Sequence, residues 1–417
     1  MRVPLPLATG YWLSTNSLNS CLSELNKNLL GEKTLVKEIF EQKEKKVEYI
    51  ELIYDLIFVY IIGRNNLLLH NIKDGFVEGG FFLSYIFCTL AVIQIWTFTT
   101  YYINVYGKKS VREHIFLFIN MFLLYFLAQG IGSDWQVRHT QFHVAWALIL
   151  LNIGVQYLLE LRTHKENYHR RRIIRMALVL FAEAVIVLLC MLEYNRFGST
   201  YVSFAAVIFG ILSVLISSRN SCNALVDFNH LSERVMLYVV FTFGEMIIAI
   251  AAYFESGFSL NTLYFSLMGF LIVVGLFLSY GVFYDSILDR EKQTNGIGYI
   301  LIHTFIIFAL NNITVSLEFM RNDEVNLLAK MILIILSFLL YFSFLLTAGI
   351  YAKKRAKPTV KVMLTLAAIF LIFAVLMLVF KENMYINIAV SVLFVWAMFG
   401  AIYRFKAKHL GIKTRTF

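Results

Sequence analysis

Residues 362–380 read Val362-Met363-Leu364-Thr365-Leu366-Ala367-Ala368-Ile369-Phe370-Leu371-Ile372-Phe373-Ala374-Val375-Leu376-Met377-Leu378-Val379-Phe380, an unbroken stretch without a charge. A strand of a membrane β-barrel would need about ten residues of alternating polarity. This stretch has no such period. About twenty apolar residues rising 1.5 Å each cross a hydrocarbon core of about 30 Å, so the run at 359–380 reads as a membrane-spanning helix. Eleven more runs share its character, at about 48–71, 81–103, 113–132, 139–161, 173–194, 199–217, 234–254, 259–284, 298–319, 326–351 and 384–403. The only prolines, Pro4, Pro6 and Pro358, lie outside all of them, so uninterrupted helices are expected. The composition agrees. Of 417 residues 59% are hydrophobic and 15% charged, against roughly 25% charged in a soluble domain. The chain predicts an all-α integral membrane protein with about twelve transmembrane helices.

The charges test that count. If the N-terminus is cytoplasmic, 30 of the 37 lysines and arginines fall in segments on the cytoplasmic side. Only Lys73, Arg138, Arg196, Arg321 and Lys381 fall outside, and Arg64 and Lys330 lie within runs. An odd number of crossings would break this alternation. Positive loops mark the cytoplasmic face, so both termini are expected there, in an inner or plasma membrane. The net charge of +10 is therefore a topology signal, not a nucleic-acid surface. Residues 1–46 lack a compact signal core and read as a cytoplasmic segment, 47–405 as the membrane domain and 406–417 as a basic cytoplasmic tail. Cys21, Cys88, Cys190 and Cys222 share no metal or disulfide spacing, and no cofactor or metal is expected. The expected partners are membrane lipids and an unidentified small solute or ion. The oligomeric state is not legible.

A duplication into halves 47–217 and 230–405 is one reading. The second run ends Thr100-Tyr101-Tyr102-Ile103-Asn104-Val105-Tyr106 and the eighth Ser279-Tyr280-Gly281-Val282-Phe283-Tyr284-Asp285. Six helices per half would make the repeats parallel, related by an axis along the membrane normal.

Ionisable groups inside a bilayer are costly and point to function. The first run opens Val47-Glu48-Tyr49-Ile50-Glu51-Leu52-Ile53-Tyr54-Asp55-Leu56-Ile57-Phe58. Glu48, Glu51 and Asp55 share one face, which Asn66 continues, while Arg64 points the other way and snorkels outward. A carboxylate at a helix N-terminus is favoured by the macrodipole, which accounts for Glu48 and Glu51 but not for Asp55, about 10 Å further in. The seventh run carries His230-Leu231-Ser232-Glu233-Arg234 and, deeper, Gly244-Glu245-Met246. A hydrogen-bonded structural acid is the alternative for Glu245. Asp285 reads equally as a solvated helix end and His303 as a packing histidine. Trp96, Tyr102 and Asn104 read as packing or interfacial anchors more than ligands. Glu183 is a deep acid without a motif. Glu51, Asp55, Asn104, Arg112, His230, Glu233, Arg234, Asp285 and His303 all map to the cytoplasmic third. They suggest a vestibule open to the cytoplasm with Glu245 at its end and nothing comparable outside.

Glu51-Leu52-Ile53-Tyr54-Asp55-Leu56-Ile57-Phe58-Val59 resembles the E-L-F-F-D-L-V-F-V signature of the bacterial low temperature requirement A (LtrA) family. His230-Leu231-Ser232-Glu233-Arg234 through Gly244-Glu245 resembles that family's H-L-x-E-R-F-G-L-F…L-G-E block, and Tyr284-Asp285 and His303 resemble its later aromatic-Asp and His positions. The resemblance runs from about 47 to 318 and leaves the last three helices without motifs. Gly107 stands where the family usually has an acid. The resemblance implies a multi-pass inner-membrane protein linked to growth in the cold, without a molecular activity. A faint likeness of the first helix to the F-S-D helix of potassium-permeable channels is analogy only. The residues suggest a proton- or ion-coupled secondary transporter, with Glu51, Asp55 and Glu245 binding protons or cations. The alternatives are a cation channel, a membrane-embedded enzyme and a non-transporting membrane stress protein. No nucleophile or metal cluster favours the enzyme.

Overall fold

The computed structural model describes residues 45–410, except 133, 199–200, 220–225, 255–256 and 357. The N-terminal segment up to 44, Cys21, Cys222 and the tail from 411 lie outside the described residues.

Among the described residues there are twelve α-helices: α1 Tyr49–Asn66, α2 Gly79–Tyr106, α3 Val111–Gln129, α4 Trp135–Leu159, α5 Asn167–Phe197, α6 Ser203–Arg219, α7 Phe228–Ala251, α8 Leu260–Val282, α9 Ile297–Phe319, α10 Leu327–Thr347, α11 Val360–Val379 and α12 Met384–Leu410. Among the described residues, eleven helices are long and apolar enough to cross a membrane. This is an all-α, multi-pass membrane architecture. The sixth run differs from its expected bounds. It was expected over 199–217, but α6 spans 17 residues from Ser203. The left-handed Gly198 (φ 67°) closes α5 and a turn at Tyr201 and Val202 delays the next start.

Local chemistry sets several helix ends. Glu48 and Glu51 form a capping box at the start of α1, and Ser110 and Glu113 form one at α3. Beyond α1 a hairpin pairs β1 (Ile72–Lys73) with β2 (Phe76–Val77). Asp74 and Gly75 both have positive φ (53° and 80°), as a tight two-residue turn demands.

Loops gather at two ends. At the end where α1 starts, here the near end, Lys109 pairs with Glu48, Asn104 with Asp227, and Lys353 N–H donates to the Ile287 carbonyl. At the far end His70 meets Glu318, and Asn326 N–H donates to the Gly75 carbonyl at 2.8 Å.

Helix α9 lies at the centre, with 83% of its membrane window buried, and α11 lies outermost, with 17%. Neighbours in the first six helices recur in the last six. Helix α1 packs on α2 and α3 as α7 packs on α8 and α9. The pairs α3–α4, α4–α5, α5–α6 and α2–α6 have counterparts in α9–α10, α10–α11, α11–α12 and α8–α12. Helices α1 and α7 also pack on each other. They face one another nearly level, since Phe58 and Tyr238 have ring centroids 6.0 Å apart.

Candidate functional site

The first helix brings its acids to the seventh helix's bases. Asp55 is fully buried and accepts from Arg234 Nη2 at 2.5 Å and from Trp96 Nε1 at 2.8 Å. Glu51, 2% exposed, lies 3.3 Å from Arg234 Nε and 3.4 Å from His230 Nε2. His230 and Arg234 are both at 0% exposure, so this is a charge cluster removed from solvent, not an open vestibule. Each acid sits opposite a base 179 positions later: Asp55 with Arg234, and Glu51 with His230.

The surroundings hold the cluster in place. Asn104 on α2 donates to the Asp227 carbonyl at 2.9 Å, approaches His230 Nδ1 at 3.2 Å, and accepts from Asp227 N–H. Asp227 also accepts from His230 N–H at 3.0 Å, which seats the first turn of α7. The Arg234 guanidinium lies over the Trp96 ring, 5.7 Å from its centroid. Trp96 and Asn104, read in the sequence as packing anchors, are direct partners of the charged groups. Arg234 Nη1, His230 Nε2 and Glu51 Oε2 remain without an aligned hydrogen bond. A rearrangement or a transferred proton therefore has unfilled bonding capacity to use.

Lys45 closes the cluster from the near end. Its Nζ donates to the carbonyls of Ile103 and Gly107, and burial pushes its ammonium below the usual lysine range against the pull of Glu51 and Glu113. Gly107 has no room for a side chain: a Cβ there would lie 2.5 Å from the Ile103 carbonyl oxygen.

Other candidates lie elsewhere. Arg112 joins Glu160, together with Lys108 at 3.2 Å and Tyr102 at 3.1 Å. Sequence reasoning missed Glu160 because it ends an apolar run and looks like a solvated cap. Asp285 is 74% exposed, 3.7 Å from Arg290, within a π-helical turn at Phe283–Ile287. His303 Nδ1 donates to the Tyr299 carbonyl at 2.8 Å, and the ring packs against Tyr280, Phe283 and Tyr299 and leaves Nε2 without a partner. Glu233 is half-buried and takes no part in the ion pairs of Arg234 and His230. None of these three joins the α1–α7 cluster.

Glu245 is not at the end of the near-end cluster. It is half-buried and lines an open pocket of about 420 Å³ at the far end, with Gly63, Asn66, His70 and Glu318. A Cβ at Gly63 would lie 2.4 Å from Glu245 Oε1, so the glycine leaves space for that carboxylate. The expectation of nothing comparable at this end is therefore corrected. Between pocket and cluster stand Phe58, Tyr238 and Trp96, in ring contact. Among the described residues no group of three His, Cys, Asp or Glu side chains could hold a metal ion.

Comparison of the sequence with family models matches residues 46–398 to the bacterial low temperature requirement A protein (LtrA). The chain belongs to the LtrA family. The LtrA match reaches into α12, well past the motif resemblance that stopped near 318, so the last helices are part of the family architecture. No curated protein and no solved structure matches the chain. Glu51, Asp55, His230 and Arg234, which lie in the stretches that resemble the family's motifs, meet at the α1–α7 contact.

Proposed function

We propose that this LtrA-type protein is a proton- or cation-coupled secondary transporter that supports growth at low temperature, built from two parallel six-helix halves. The observation that carries the reading is the buried acid–base contact between α1 and α7, equivalent helices of the two halves. Transporters of this kind alternate access by moving one repeat against the other around a site on their interface. The α1–α7 seam has the features such a motion needs. It is held shut at the near end by Asp55–Arg234, blocked midway by aromatic rings, and open at the far end beside Glu245. The shut layer argues against a continuously open channel.

The charge bias assigns the near end to the cytoplasm of an inner or plasma membrane. Cysteines placed at Arg171 and Lys354 should be shielded from an impermeant thiol reagent in whole cells, and cysteines at Gly79 and Asp323 labelled. The reverse pattern would overturn the orientation.

Transport itself is tested by uptake and cold-growth profiling of a deletion strain. Glu245→Gln keeps the shape and removes an acid, so it should give an inserted protein that fails to restore uptake and growth in the cold. Glu245→Asp should retain part of both. Full activity of the glutamine variant would remove ion coupling at this acid.

A further inference from the structure

Two pockets adjoin at the far end of the seam. The acidic one, of about 420 Å³, carries Glu245 from α7 and Glu318 from α9. The second, of about 350 Å³, carries Arg64 from α1 and Arg138 from α4, together with Asp134. Leu67 and His70 line both and form the ridge between them. Both volumes suit small-ligand groups.

We propose that the paired pockets bind a zwitterion, its ammonium end beside Glu245 and its phosphate or carboxylate end beside Arg64 and Arg138. The acidic pocket offers mainly acceptors. Among the described residues Glu245 has no ion-pair partner, and Glu318 meets the His70 imidazole at 2.8 Å. Asn66 is 6% exposed and lines the same pocket with its Oδ1 lacking any hydrogen-bond partner. A buried carbonyl oxygen left unpaired is costly, and a donating ammonium would relieve that cost. The wall beside these acceptors is apolar, formed by Leu67, Ile248, Ala249 and Ala251, and suits a carbon-bearing ammonium better than a bare ion. The pocket lacks the crowded set of oxygens that a divalent ion needs.

The basic pocket offers donors. Arg64 Nη2 donates to the Ile131 carbonyl at 2.9 Å and Arg138 Nη1 to the Gln129 carbonyl at 2.9 Å, which fixes both side chains. Arg64 Nε is buried without a partner. Arginine suits phosphate and carboxylate recognition because its several N–H groups lie in one plane. Asp134 stands in the same pocket and favours an anion whose charge is balanced by an attached cation over a free anion.

The shared chemistry has two sources: the headgroup of a zwitterionic lipid, or a free zwitterion in solution. Glu245 lies six residues before the end of α7, about 9 Å at 1.5 Å per residue, a depth that a headgroup reaches. The inference rests on the transporter reading only in calling the seam a path. Binding to the detergent-solubilised full chain needs no turnover, so it can fail or succeed apart from transport.

The experiment measures thermal stabilisation by O-phosphoethanolamine, by ethylammonium alone and by inorganic phosphate alone. A second arm compares nanodiscs of phosphatidylethanolamine with nanodiscs of phosphatidylglycerol. The expected result is stabilisation by the joined zwitterion at concentrations at least tenfold below either half. Glu245→Gln and Arg138→Gln should each weaken it at least tenfold, and Glu245→Asp should restore part of it. Stabilisation confined to phosphatidylethanolamine nanodiscs supports the lipid source, and stabilisation by the soluble compound supports the free one. The proposal is overturned if neither zwitterion stabilises the wild type, if phosphate alone matches the zwitterion, or if both glutamine variants bind as the wild type does.

Discussion

Arg234→Met should lower the stability of the detergent-solubilised protein by about 3–5 kcal/mol, because it leaves Asp55 and Glu51 buried without their cation. Both acids are out of water, at 0% and 2% exposure, so solvent cannot replace the guanidinium. Asp55→Leu combined with Arg234→Met should recover most of that loss, since a buried ion pair exchanged for apolar side chains of similar size is often neutral or better. Unfolding titrations of the two single variants and the double variant in mixed micelles give the coupling directly. Additive losses would mean that the pair does not act as a unit. A stable double variant that fails to support transport would separate the pair's structural part from its functional part.

Glu183→Met should act in the opposite direction and raise stability by about 1–3 kcal/mol, the cost of a polar group buried without partners. Glu183 on α5 is at 0% exposure, and neither carboxyl oxygen has a hydrogen-bond partner. Gln94 on α2 stands close by, with its own Oε1 unpartnered. Gly210 on α6 makes this closeness possible. A Cβ there would come 1.7 Å from Gln94 Nε2 and 2.5 Å from Glu183 Oε2. The same unfolding titration checks the sign. A lower midpoint for the methionine variant would show that Glu183 holds a partner in the working protein.

The helices were legible because bilayer thickness writes itself into sequence as run length. Their ends were less so. Hydropathy marks where lipid stops, not where the helix stops. Thus α5 begins at Asn167, ahead of the expected 173, as its basic first turns continue the helix into the polar region. The acids of α1 and the bases of α7 were each visible, since charge within an apolar run stands out. Their pairing was not, because no local rule links positions 179 apart. Glu245 was misplaced for a related reason. Its place within an apolar run was visible, but a helix face says nothing about which end of the bundle its pocket opens to, and α7 ends only six residues beyond it. Asp285 and His303 stood out as ionisable groups at or within apolar runs, and each takes its plainer reading, one meeting solvent and the other a cage of aromatic rings.

The distance along the chain between Asp55 and Arg234 also bears on how the protein is made. The two residues leave the ribosome 179 residues apart, which at 5–20 residues per second is roughly 10–40 s. Throughout that interval α1, the least hydropathic of the spans, waits in or beside the insertion machinery with two acids and no arginine to meet them. Until α7 is made, the buried contact that joins the two helices cannot form, and any slowing of synthesis lengthens that interval in proportion.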